Sequence, residues 1–162
     1  LLQLPQGFVP AGDSGTSRRL LGAFLTWLAD RRSRVFVVAT ANAIDALPPE
    51  LIRKGRFDEV FFVDLPTAEV RADILRIHAT KRGLELAEAE LRALAGESEG
   101  YSGAELEQAV VAARYHAHAQ GRPTGAAHVL YELRATRPLS TVMAEQVDAL
   151  RSWAAERTVP AG

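Results

Sequence analysis

Apolar residues are spaced in two different ways along this chain, and the change comes near Pro66. Within SRRLLGAFLTWLADRR, the residues Leu20, Leu21, Phe24, Leu25, Trp27 and Leu28 recur at helical spacing. Arg31 and Arg32 suit the carboxyl-terminal end of that helix's dipole. The run at 35–39 is continuous, β-branched and aromatic. It is too short for a helix and predicts a central strand covered on both faces, as in a parallel α/β sheet. A helical turn at 49–53 leads into EVFFVDLP, a second buried strand stopped by Pro66. Ahead of all this, PAGDSGTS at 10–17 reads as a loop by composition.

Beyond Pro66 only helical spacing remains. Thr67 is the expected N-cap of a helix with Val70, Ile74 and Ile77 on its apolar face, Lys81 and Arg82 at its end and Gly83 closing it. AEAELRALAG is a shorter helix ended by Gly96. The next helix opens on a capping box, Ser102 with Glu105, which satisfies two orphan amide donors. Its buried face is Leu106, Ala109, Val110, Ala113 and Ala117. Another helix begins after Thr124, and a last one is expected from about 140 to 157 with Met143, Val147, Leu150 and Ala154 on a stripe. This order predicts an α/β fold class: a partial parallel sheet of few strands, then an all-α part, helical in the main. The expected divisions are 1–66, 67–138 and 139–162. Sheets usually hold about five or six strands, so either further strands lie in sequence outside this chain or this piece assembles unusually.

Composition changes this picture little. The 162 residues, 48% hydrophobic and 24% charged, suffice for about one domain and a soluble core. No apolar run approaches the roughly 18 to 20 residues of a membrane span. A formal charge of −1 gives no footprint for nucleic acid. The absence of cysteine removes disulfides, thiolate nucleophiles and cysteine-ligated zinc, and fits a cytoplasmic setting. Of the 19 basic residues only Lys54 and Lys81 are lysine, so any arginine given a role must be singled out by context.

Three places carry candidate chemistry. Asn42 follows the first strand, at the carboxyl end where open α/β sheets bind ligands. Taken alone it reads first as a turn residue. Arg53 and Arg56 flank Lys54 and Gly55 just before the second strand. A guanidinium fork suits phosphoryl oxygens, although solvated arginines, or pairs with Asp58 and Glu59, account for the two equally well. His116 and His118 stand two apart on a helix, on different faces, so no metal site is expected. His78 reads as a half-buried packing histidine.

The joint arrangement ATAN, LPPELIRKGRFDEVFFVDLP and GYSGAELEQAV resembles the second half of an AAA-type ATPase module over residues 18 to 120. That resemblance implies the end of a P-loop-type α/β subdomain followed by a helical lid. It makes Asn42 the first sensor and Arg53 and Arg56 arginine fingers for a neighbouring subunit's nucleotide, with Lys54 in place of the family's proline. Gly103 and Ala104 become the nucleotide-facing turn of the lid. Asp13 and Ser14 resemble a pore-lining loop, for which a plain solvated connection serves as well. The tail and the GTSRR stretch resemble a bacterial and plastid branch of poorly defined role.

The implied activity is ATP hydrolysis with Mg²⁺ in a homo-oligomeric, hexameric ring that remodels a macromolecule, expected to be protein. The alternative is a non-hydrolysing, AAA-derived interaction or regulatory module. The chain holds no G-x-x-x-x-G-K-[ST] loop, and Leu2 and Gln3 stand where the resemblance places an acidic pair. Truncation upstream accounts for the missing loop; a junction, a frame error or a true loss would each account for the missing acids. Neither ATP nor metal is therefore expected to bind this stretch by itself.

Overall fold

The computed structural model describes residues 14–30, 35–41, 44, 47–52 and 57–161. Its contacts divide the chain into two units, Leu1–Phe61 and Phe62–Gly162. In the first, α1 (Ser14–Asp30) starts inside the stretch read as a loop. Once the apolar stripe from Leu20 fixes a helix, extending it backwards costs propagation only, and one glycine costs about 1 kcal/mol. Leu28 is buried, and Phe24 stacks on Trp27 at 6.0 Å. The expected turn is α2 (Pro49–Ile52), with proline at the first helical position, where its missing N–H costs nothing.

The two buried strands are not formed as expected. Residues 35–41 hold no strand, no hydrogen bond joins them to another described residue, and Phe36 is 93% exposed. The second run keeps only β1 (Phe61–Phe62), with Val63 78% exposed. A central strand is stable when both its edges are paired and both its faces covered. Neither condition is met among the described residues.

The second unit is a helical assembly. It comprises α3 (Ala68–Thr80), α4 (Glu88–Gly96), α5 (Gly103–Ala119) and α6 (Ala126–Ala135), followed by α7 (Leu139–Val142), α8 (Ala144–Ala155) and β2 (Val159–Pro160), which pairs with β1. Thr67 caps α3 through its hydroxyl, which accepts from the Val70 N–H at 3.4 Å. Gly83, at φ +70°, closes that helix, and the Leu84 N–H donates back to the Ala79 carbonyl at 2.9 Å. The core is Leu75, Leu91, Leu94, Leu106, Val110 and Val129, each 2% exposed or less.

Two further expectations are corrected. The face that α3 buries is Arg71, Ala72, Leu75 and Ala79, while Val70 and Ile77 are 46% and 61% exposed and Ile74 is half-buried. Small alanines, and an arginine whose guanidinium is satisfied by the Ala95 and Pro66 carbonyls, allow the close α3–α4–α5 packing that three β-branched residues would hold apart. The helix expected from 140 to 157 breaks at Met143, at φ −113° and ψ 35°, and Met143 is exposed. Among the stripe residues only Ala154 is fully buried, with Val147 and Leu150 half-buried.

The corrected face is checked by chemical unfolding. Leu106→Ala is expected to cost about 2–5 kcal/mol, whereas Ile77→Ala should stay within about 0.5 kcal/mol of the parent. Urea titrations followed by circular dichroism decide it. Equal losses at the two positions would restore the face predicted from the sequence.

Candidate functional site

Of the five residues singled out from the sequence, Asn42, Arg53 and Arg56 lie outside the described residues, as do Lys54 and Gly55. Their described neighbours are Ala41, exposed, Leu51 of α2, buried, and Phe57, half-buried. Asp58 and Glu59 are exposed. The other two, Gly103 and Ala104, open α5, and the local chemistry there is fully visible.

Gly100 turns the chain at φ +80°, a left-handed conformation that favours glycine. A Cβ at that position would also stand 2.9 Å from the Ser140 Oγ. Tyr101 follows, 3% exposed, with its hydroxyl 2.6 Å from the Leu133 carbonyl and 2.5 Å from that of Thr136. Burial and nearby Glu105 raise its pKa. Ser102 is the N-cap: its Oγ accepts from the Glu105 N–H at 3.4 Å, and its own N–H donates to Glu105 Oε2 at 2.9 Å. The capping box read from the sequence is present. The other carboxylate oxygen, Oε1, accepts from the Leu139 N–H at 2.7 Å, a bond that local spacing does not announce.

Ala104 is exposed and Gly103 half-buried, and a Cβ on Gly103 would meet only Ile74 Cδ1, at 3.5 Å. The N–H groups of both have no partner among the described residues. This turn therefore offers two backbone donors beside an apolar side chain. The Glu105 carboxylate at the same helix end opposes an anion there, although the dipole alone would favour one. What fits is an uncharged group with hydrogen-bond acceptors.

One helical turn beyond Ile74, His78 is more than a packing residue. Its Nδ1 lies 3.3 Å from Glu107 Oε1 and 3.2 Å from Arg82 Nη1, and Arg82 Nη2 donates to the same carboxylate oxygen. The 78–82 spacing gives a hint of this cluster; the arrival of Glu107 from α5 does not show in sequence. His116 lies with Nδ1 3.0 Å from Glu132 Oε1, which accepts its hydrogen bond, and meets the Tyr131 ring edge-on, while His118 is exposed.

Elsewhere in this unit a cleft of about 340 Å³ is lined by Pro66, Arg71, Gly100, Ser140, Val147 and Arg151, among others. Arg71 is 8% exposed. Its Nε and Nη2 donate to the Ala95 carbonyl at 3.1 and 2.9 Å, and its Nη1 to that of Pro66 at 2.8 Å. It thus staples the start of α3 to the end of α4. Arg151 holds Asp64 with Nε at 3.0 and 2.9 Å from the two carboxylate oxygens.

The chain compares with known proteins as follows. Residues 7–65 match the model of the ATPase family associated with various cellular activities (AAA). The chain is 40% identical over 151 residues to the "Uncharacterized AAA domain-containing protein ycf46" of Pyropia yezoensis, covering 93% of this chain and 31% of the relative. It is 38% identical over 116 residues to a proteasome-activating nucleotidase of Aeropyrum pernix, covering 67% of this chain and 28% of that one. Among solved structures it is similar to the FIGL-1 AAA domain in complex with ADP, with a TM-score of 0.75 and 23% identity over 88% of this chain and 53% of that chain. The chain thus spans less than a third of the length of the two sequence relatives and 53% of the FIGL-1 chain, and its fold is that of part of an AAA domain: a fragment of α/β sheet, then a helical lid.

The carboxylates give the helical unit an acid limit. Arg151 holds Asp64 below the usual carboxylate range, Arg134 does so for Glu97 and Arg82 for Glu107. Burial pushes Glu105 up, but the bonds from the Ser102 hydroxyl and the Leu139 and Ser102 N–H groups outweigh it and leave it lowered. A depressed native pKa stabilises the fold above the unfolded value, and the benefit goes as pH falls through the native one. Stability should therefore decline below about pH 4.3, the ordinary glutamate value. The decline should be shallower in Glu105→Gln. Thermal melts between pH 2 and pH 7 measure both, and an unchanged slope in the variant would contradict the assignment.

Proposed function

Because this chain belongs to the AAA family of ATPases, we propose that it is the carboxyl-terminal half of a module that hydrolyses ATP in an oligomeric ring, a hexamer, and uses lid motion to remodel a macromolecular partner, most simply a protein. The single observation that carries this reading is the joint spacing of Asn42, Arg53–Arg56 and the Gly103–Ala104 turn across a stretch that aligns with an AAA-domain relative over 151 residues. The geometry at α5 supports it: two unpartnered amides beside Ile74 suit the base end of a nucleotide.

In this reading Gly103 and Ala104 border the base. Asn42 orients the attacking water through its amide without changing the local charge. Arg53 and Arg56 reach the nucleotide of the next subunit and stabilise charge on the transferred phosphoryl group, so assembly becomes a condition for turnover. Mg²⁺ would need the acidic pair of the family; Leu2 and Gln3 supply no carboxylate there. No helix among the described residues is long and apolar enough to cross a membrane, and the proposed setting is the cytoplasm.

One observation favours the second reading, a regulatory module that lends arginine fingers to an active partner. Leu2 and Gln3 stand where the family's acidic pair is expected, while both arginines are present.

In the full-length parent, Arg53→Ala or Arg56→Ala should leave nucleotide binding intact and lower turnover about 10³-fold or more. Steady-state hydrolysis beside fluorescent-nucleotide titration checks it. Mixed rings in which every subunit keeps its full rate would exclude action in trans. The purified 162-residue chain should show no magnesium-dependent hydrolysis; measurable turnover would refute the division of labour proposed here.

A further inference from the structure

The residues after α6 are tied down at two places that lie far apart in sequence. At one end, the motif that forms the Gly103–Ala104 turn also grips the tail. The Gly100 carbonyl accepts from the Ser140 Oγ at 2.5 Å, and Glu105 Oε1 accepts from the Leu139 N–H at 2.7 Å. Gly100 is shaped for this contact, since a Cβ there would meet the Ser140 Oγ at 2.9 Å and Pro138 at 3.6 Å. At the other end, Arg151 of α8 clamps Asp64 with both carboxylate oxygens engaged, and the Ala161 N–H donates to the Phe62 carbonyl at 3.1 Å. Residues 62–64 are the segment by which the chain enters this unit and begins α3.

We propose that α7 and α8 form a strap joining the Gly103–Ala104 turn to the entry segment, with Glu105 and Arg151 as its two positioning residues. The proposal rests on the reading of Gly103 and Ala104 as the nucleotide border. Neither Glu105 nor Arg151 touches nucleotide in that reading. Glu105 acts through Ser102, whose N–H and hydroxyl it holds at 2.9 and 2.7 Å, and so sets the direction of the two free amides. Its carboxylate has an oxygen for each task, Oε2 for the cap and Oε1 for the tail. Glutamine has only one acceptor oxygen, so Glu105→Gln must give up one of the two bonds. Arg151 fixes the far end of the same element. An exposed ion pair contributes little to stability as a rule, which separates a positioning role here from a structural one.

Linkage requires the coupling to run both ways: whatever the strap adds to nucleotide affinity, bound nucleotide adds to strap closure.

The test uses the full-length parent with ADP as the probe. Glu105→Gln and Arg151→Ala should each weaken ADP binding by about two- to thirtyfold, the range found for residues that couple without touching ligand. The double variant should be no weaker than the worse single one, because both open the same strap. ADP should slow hydrogen exchange of the Leu139 amide in the wild type, and this effect should vanish in Arg151→Ala. Ser140→Ala, which removes the part-buried bond to the Gly100 carbonyl and leaves the capping box whole, should show the same pattern if Glu105→Gln perturbs folding. An unchanged ADP affinity in Arg151→Ala, or a double variant whose losses multiply, overturns the strap while leaving the nucleotide reading in place. Failure of the wild type to bind ADP overturns both.

Discussion

A single carboxylate sits at the centre of the helical unit. Glu105 completes the cap of α5 with one oxygen and holds the Leu139 amide with the other. The first task decides where the longest helix of that unit starts, and so which residues, Leu106, Val110 and Ala113, point into the core. The second decides where the chain goes after α6. An N-cap is worth about 1 kcal/mol, and a charge-assisted hydrogen bond roughly doubles a neutral one. Neither term is large, but both act on one side chain. Gly100 and Tyr101, the two residues before the cap, hold the same connection through Ser140 and through the Leu133 and Thr136 carbonyls.

What could be read from the sequence divides by distance along the chain. The caps of α3 and α5, the closing Gly83 and the Pro49 start of α2 depend on residues within a turn or two of each other, and these readings agree with the structure. The bonds that shape the tail join residues 34, 40 and 87 positions apart, and no local pattern announces them. The apolar face of α3 failed for another reason. Periodicity shows that apolar residues share a side; it does not say which side is covered. Alanines and an arginine turned out to be the packed residues, and Val70 and Ile77 the exposed ones. The two strands failed because a strand is completed by its neighbours, whereas a helix satisfies its own backbone.

The candidate site was legible as a pattern and only partly as a place. The resemblance to the AAA module singles out Asn42, Arg53 and Arg56 in a chain with seventeen arginines. The described arginines show how much context matters for that residue type. Arg71 is buried against two carbonyls, Arg151 bridges to Asp64 across the tail, and Arg76 and Arg134 sit in exposed pairs with Glu88 and Glu97. Each has a structural occupation that its sequence neighbours did not declare. Arg53 and Arg56 differ in being placed by the motif around them, and the proposed role rests on that motif.

Charge along the proposed nucleotide supports the same assignment. A helix N-terminus that faced phosphate would be expected to keep its first turn free of acids, since the dipole's positive end is the useful feature there. The first turn of α5 instead carries Glu105, held in its ionised form by three hydrogen-bond donors. A carboxylate so close would repel phosphate and leaves an uncharged ring unaffected. The turn is therefore suited to the base end of a nucleotide, and the phosphate end needs cations from elsewhere. In the proposed reading Arg53 and Arg56 supply them from the next subunit. In that reading the separation would give the lid control over nucleotide occupancy and leave turnover to the neighbour, and each protomer would be complete for binding only in part and for hydrolysis only in company.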